Sequence, residues 1–197
     1  MYDYLDEVLK RVVVRIYDAF SRFRRLRFDE LHVVSELQDL YSELESINVE
    51  AYTLIANYYY RSESMTTETL DRAWLEEVLI TPSEVMKYAY SGEAVRKRDR
   101  LLEALIAKKG SVAEIDKAMR YWTQMNGWFA VEVADQAVAQ AREDTGVDEV
   151  MWRSEHAGKV CDHWWKLNGQ VFRADAVPPK PHPNCRCWTV VVGRAAL

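Results

Sequence analysis

Glycine is missing from the first 91 residues of this 197-residue chain, and Pro82 is the one proline ahead of residue 178. A stretch that long without either punctuating residue excludes a hairpin-rich β architecture and predicts helix following helix. Cysteine is scarce, with three in the chain, an odd number that argues against a disulfide framework and leaves metal ligation or plain burial. No apolar run approaches the roughly 20 residues of a membrane span, and the N-terminus MYDYLDEVLK is charged from Asp3 onward, so neither a membrane segment nor a targeting sequence is expected. That predicts a soluble protein made in a cytosol. There is no glycine-rich loop to cradle a phosphate. Basic charge is also in short supply, 26 Lys and Arg against 31 Asp and Glu, a net charge of −5 that disfavours bulk nucleic-acid binding.

Apolar residues are plentiful, 49% of the chain, enough for a substantial core. Their spacing is helical. Leu9, Val12, Ile16, Phe20 and Phe23 step by three and four, predicting a helix over about 4–28. Asp29 reads as the cap of a second, very long helix through Leu37, Leu40, Leu44, Ile47, Ala51, Leu54 and Tyr58. Roughly 30 residues at 1.5 Å each give a rod of about 45 Å, an elongated or hairpin-like shape. Tyr58, Tyr59 and Tyr60 close it and read chiefly as core packing. A short helix follows Thr67, and Thr81-Pro82-Ser83-Glu84 opens another.

A charged helix over 92–109 stops at Gly110, and the capping box Ser111-Val112-Ala113-Glu114 begins a further long helix ending near Thr145-Gly146. Gly127, in its middle, suggests a kink or a close helix contact. Glu132, Asp135, Glu143 and Asp144 read as solvated face residues. Basic residues Arg22, Arg24, Arg25 and Arg27 likewise read as a solvated helix face.

After Gly146 the texture changes. Strand signals appear at Val147–Ser154, Gln170–Arg173 and, most strongly, Cys187–Val192. The fold class predicted is therefore mainly α, long N-terminal helices followed by a small C-terminal α+β module. The division is a helical region over 1–110 and a second unit over 111–197, made of helix 111–145 and the α+β module 147–197.

Chemistry-bearing residues crowd into that module. Between Cys161 and Trp188 lie all three cysteines, two of four histidines, four of five prolines and three of seven tryptophans. His182 and Cys185, three apart, suit one turn around a zinc ion, and Cys161 with His163 can supply the other pair. Cys187 shares a side with Cys185 and is a substitute ligand. The competing reading buries the cysteines as small hydrophobes beside Trp164, Trp165 and Trp188. Asp162-His163, Asn168 and His182 follow the order of a ββα-metal nuclease, but prolines on both sides of His182 oppose the helix such a site needs. No catalytic constellation is identifiable, so the chain is read as a non-enzyme.

The succession of E-x-x-D-Q-A (Glu132–Ala137), V-C-D-H-W-W-K-L-N-G (Val160–Gly169) and P-P-K-P-H-P-N-C-R-C-W (Pro178–Trp188) resembles the Mu F-like minor head, or head-morphogenesis, proteins of tailed phages. The resemblance covers roughly residues 115–192. Two features depart from the family pattern: Trp164 stands where a second cysteine is usual, and Asn168 replaces the aspartate before glycine. The resemblance implies a low-copy virion component at the portal vertex and head interior, present in the host cytoplasm during assembly. Its implied partners are the portal protein and the major capsid protein, with packaged DNA as a further contact, and its role is assembly, genome packaging or ejection. A small cytosolic Cys/His metal-binding enzyme of nuclease type, or a zinc-binding adaptor, is the alternative.

Overall fold

The structure, a computed structural model, describes residues 2–26, 32–80, 93–107, 112–154, 165–180 and 185–194. It is mainly helical with a small antiparallel sheet at the C-terminal end, the fold class the glycine and proline pattern predicts. Helix α1 spans Asp3–Phe23 and buries Leu5, Val8, Val12, Ile16, Ala19, Phe20 and Phe23 along one face. Asp3 and Asp6 in its first turn and Arg22 in its last complement the helix dipole. The predicted end near residue 28 is late: after Phe23 the chain turns through Arg24 to Leu26, and the proposed cap Asp29 lies outside the described residues.

Helix α2, Val33–Ser64, is 32 residues long, about 48 Å at 1.5 Å per residue. It ends where Met65 adopts a left-handed conformation and returns its N–H to the Arg61 carbonyl. Tyr59 and Tyr60 are buried, whereas Tyr58 is half-exposed and stacks on Tyr4 of α1 at 3.9 Å. Helices α3 (Arg72–Ile80) and α4 (Glu93–Ala107) are shorter. The cap of α3 is Asp71, whose Oδ1 accepts the Trp74 N–H at 2.8 Å. The capping sequence from Thr81 to Glu84 lies outside the described residues.

Helix α5, Val112–Asp144, completes a three-helix bundle with α1 and α2. Contacts in register give the directions. Arg15 meets Glu50 at 2.8 Å and Arg22 meets Glu43, so α1 and α2 are antiparallel. Tyr41 packs edge-on against Trp122, Asn126 donates to Asn48, Tyr52 packs on Phe129 and Tyr60 donates to Asp144, so α2 and α5 run in the same direction. A parallel pair needs a return path, which α3 and α4 lie along, each touching both long helices. The buried Asn48–Asn126 pair sits in an otherwise apolar seam, where a polar pair fixes the register of two helices that apolar contacts alone would let slide.

Gly127 does not mark a close helix contact, because a Cβ built there meets nothing within 4 Å. Its lack of a side chain therefore costs helix stability without a packing return. Gly127→Ala is expected to raise the unfolding free energy by about 0.5–1 kcal/mol, read as a higher urea midpoint at unchanged m-value.

Strand β1 (Val147–Arg153) follows α5 through Thr145 and Gly146. It lies between β2 (Val171–Arg173) and β3 (Trp188–Arg194), antiparallel to both, with Met151 opposite Val171 on one side and Val190 on the other. A 3-10 turn, Ala174–Ala176, follows β2. The three strand signals thus fall within a residue or two of the observed strands. The Asn168-Gly169 pair turns the chain, with the Leu167 carbonyl accepting the Gln170 N–H at 2.9 Å. Only Gly169 takes positive φ (+83°), the pattern of a type II turn leading into β2 and not the tight hairpin this pair often forms.

Candidate functional site

Of the residues singled out as metal ligands, Cys161, His163 and His182 lie outside the described residues, as does Asp162. Cys185 and Cys187 are described. Both are buried, and both pack with Trp152, Leu167, Phe172 and Val177 in a small apolar cluster of their own. Their shared orientation is what a two-residue separation in extended chain dictates. Cys187 Sγ approaches Ser154 Oγ at 3.8 Å, and Ser154 also accepts the Trp152 indole N–H at 3.2 Å. Asn168, the one described member of the nuclease-like set, serves the fold instead, since its Oδ1 accepts the Ser154 N–H at 3.0 Å and closes the end of β1.

Among the described residues no group of three or more His, Cys, Asp or Glu side chains could hold a metal ion. Two adjacent soft donors in an apolar setting, Cys185 and Cys187, suit one half of a tetrahedral zinc set. The other half would have to come from Cys161, His163 or His182. Metal analysis of the purified protein, together with Cys185→Ser, decides this: stoichiometric zinc that survives dialysis and is lost in the variant establishes the set.

Burial pushes the Cys185 thiol up to about 11, against the pull of the Cys187 backbone and Lys180 and with the Cys187 thiol adding to the rise. Burial similarly raises the Tyr59 hydroxyl to about 12, and a hydrogen bond to Asp144 raises that of Tyr60 to about 12. The unfolded chain releases these protons from about pH 9 for cysteine and 10 for tyrosine, while the folded chain retains them. Stability is therefore intact below pH 9 and falls as pH rises through 9–12. Urea midpoints should hold from pH 8 to about pH 9 and decline from there to pH 12, and in the metal-free protein Cys185 should resist alkylation at pH 8 until the chain is unfolded.

The best-formed polar arrangement lies beside this cluster. Lys180 Nζ stands 2.5 Å from Asp135 Oδ2 on α5 and donates to the Tyr2 hydroxyl (2.6 Å) and the Cys185 carbonyl (3.2 Å). The Tyr2 hydroxyl is 3.0 Å from Asp135 Oδ1 and 3.2 Å from the Cys187 carbonyl, either of which accepts its proton. Lys180 and Arg186 each lie 5.1 Å from the centre of the Tyr2 ring, and Arg186 pairs with Asp6 at 2.8 Å. Desolvation raises both the Tyr2 hydroxyl and the Asp135 carboxyl, the latter against the pull of Lys180 and Tyr2. A second junction is centred on Arg142, which meets Glu63 at 2.6 Å and donates to both the hydroxyl and the carbonyl of Thr189.

Asp135 is thus no solvated face residue, and Asp144 accepts hydrogen bonds from Tyr60 and Gln140. The signal was present for Asp135: it sits four residues after Val131 and three before Val138, both buried, so it interrupts an apolar face. Its partners could not be read, because Tyr2 and Lys180 lie 133 residues before and 45 after it.

Compared with known proteins, the chain matches no family model, no curated protein and no solved structure. What the fold and the site define is a class of architecture, a helical bundle carrying a small C-terminal α+β module. No helix among the described residues is long and apolar enough to cross a membrane.

Proposed function

We propose that this chain is a minor head protein of a tailed phage, a structural component acting at the portal vertex during head assembly, genome packaging or ejection. The observation that carries the reading is the motif succession from Glu132 through Val160–Gly169 to Pro178–Trp188, on which the resemblance to the Mu F-like proteins rests. The architecture is compatible with it: Glu132–Ala137 lies in a long helix, Trp188 opens a strand of the small sheet, and the chain ahead of that helix is helical among the described residues, as suits docking on a large protein partner. An acidic chain fits a role in which the main contacts are to protein, with packaged DNA a lesser one.

The test is co-expression with a tailed-phage portal protein from the same source, followed by affinity purification and mass measurement of the complex. Several copies of this chain retained on the portal ring support the proposal. Failure to associate while both proteins are folded, with turnover of a nucleic-acid substrate instead, transfers the case to the nuclease-type alternative.

A further inference from the structure

We infer that the C-terminal module opens from the helical bundle as a unit, with Lys180–Asp135–Tyr2 and Arg186–Asp6 as its latch and Gly146 as its pivot. Three observations lead there. The apolar core of the bundle runs from Tyr2 to Ala141, whereas the cluster of Trp152, Cys185 and Cys187 is separate from it. Separate cores are what distinguish units that open independently from those that unfold together.

Among the described residues, the side-chain hydrogen bonds and ion pairs that join the two parts form three junctions. Lys180 reaches Asp135 and Tyr2, Arg186 reaches Asp6, and Arg142 reaches Thr189. Such contacts exchange for water at far smaller loss than apolar packing, because each group is hydrated when it separates.

The covalent geometry permits the motion. Every residue of the module follows Gly146, so one peptide junction joins it to the bundle. Gly146 has φ +64°, immediately after the last turn of α5, and its N–H bonds only locally to the Glu143 carbonyl at 3.2 Å. Rotation there leaves both the helix and the three-stranded sheet intact.

Opening also has a chemical consequence. The carbonyls of Cys185 and Cys187 are held by Lys180 and Tyr2, so releasing the latch frees the segment that carries both thiols. The inference concerns motion within this chain and holds whatever partner the bundle docks.

Native-state hydrogen exchange on the full chain tests it. Lys180→Gln should speed exchange of the strand amides in 147–153 and 188–194 by about tenfold or more, the loss of a charge-assisted contact, and leave the middle of α2 unchanged. Arg186→Gln should act on the same amides more weakly, since Asp6 is half-exposed. Raising ionic strength should speed them in the unmodified protein. If the strands and α2 exchange at one common rate and the variants accelerate both equally, or if neither variant changes strand exchange, the inference is overturned.

Discussion

Arg142→Met is expected to lower the unfolding free energy by about 3–5 kcal/mol, the loss that follows when one member of a buried ion pair is removed and the other stays. The Arg142 side chain is 8% exposed and that of Glu63 23%, so the stranded carboxylate is only partly rehydrated, which places the loss near the lower end. Glu63 is not the only group stranded. Trp152 gives its N–H to Gln170 and takes the Gly169 N–H, so both of its backbone groups face β2. Thr189, its cross-strand partner on β3, consequently turns its carbonyl away from β1, and Arg142 is the donor that meets it.

Arg142 thus occupies part of the outer edge of β3, a valine-rich strand with no further strand beside it among the described residues. Two measurements check this. The urea midpoint should drop for Arg142→Met and recover in part for the Glu63→Gln, Arg142→Met double variant. Light scattering should show self-association of Arg142→Met at concentrations where the unmodified chain stays monodisperse. Arg142→Lys should fall between them, since one ammonium cannot serve Glu63 and both Thr189 oxygens in the fork geometry of a guanidinium.

Such junctions escape a reading of sequence for a physical reason. Steps of three and four in apolar residues located α1, α2 and α5, because a helix face is a local property recorded within a dozen residues. Strand positions were legible for the same reason, from β-branched runs bounded by turns. The parallel course of α2 and α5 was not legible, since it depends on pairs such as Asn48 with Asn126, 78 residues apart. Nor could Arg142 be told from the other arginines of the chain. Its environment is supplied by Glu63 and Thr189, from 79 residues before and 47 after it. The end of α1 was placed late because the segment after Phe23 has no glycine or proline, and the turn through Arg24 to Leu26 uses residues that are equally at home in a helix. Cys185 and Cys187 share one buried cluster, as the alternation of extended chain leads one to expect of residues two apart.

Trp152→Ala carries the second large effect, about 3–5 kcal/mol, the usual range for deleting a fully buried indole. Trp152 is 2% exposed and is the largest side chain in the module's own cluster, which it forms with Cys185 and Cys187 and against which Leu167, Phe172 and Val177 pack. Surroundings that small resist collapse into the void, because β1 is held on both sides by its neighbours. The indole N–H also satisfies Ser154, which in turn lies against the Cys187 thiol, so the loss reaches beyond volume. Because the bundle core is separate, the damage should stay local. Strand amides and near-ultraviolet dichroism should change, while far-ultraviolet helix signal and α2 exchange persist. Both cysteine thiols should become open to alkylation at pH 8. Trp152→Phe keeps most of the buried area and forfeits the indole hydrogen bond, so it should cost about 1 kcal/mol and leave the thiols protected. A Trp152→Ala chain that lost its helical signal at the same urea concentration as its strands would show instead that bundle and module share one cooperative core.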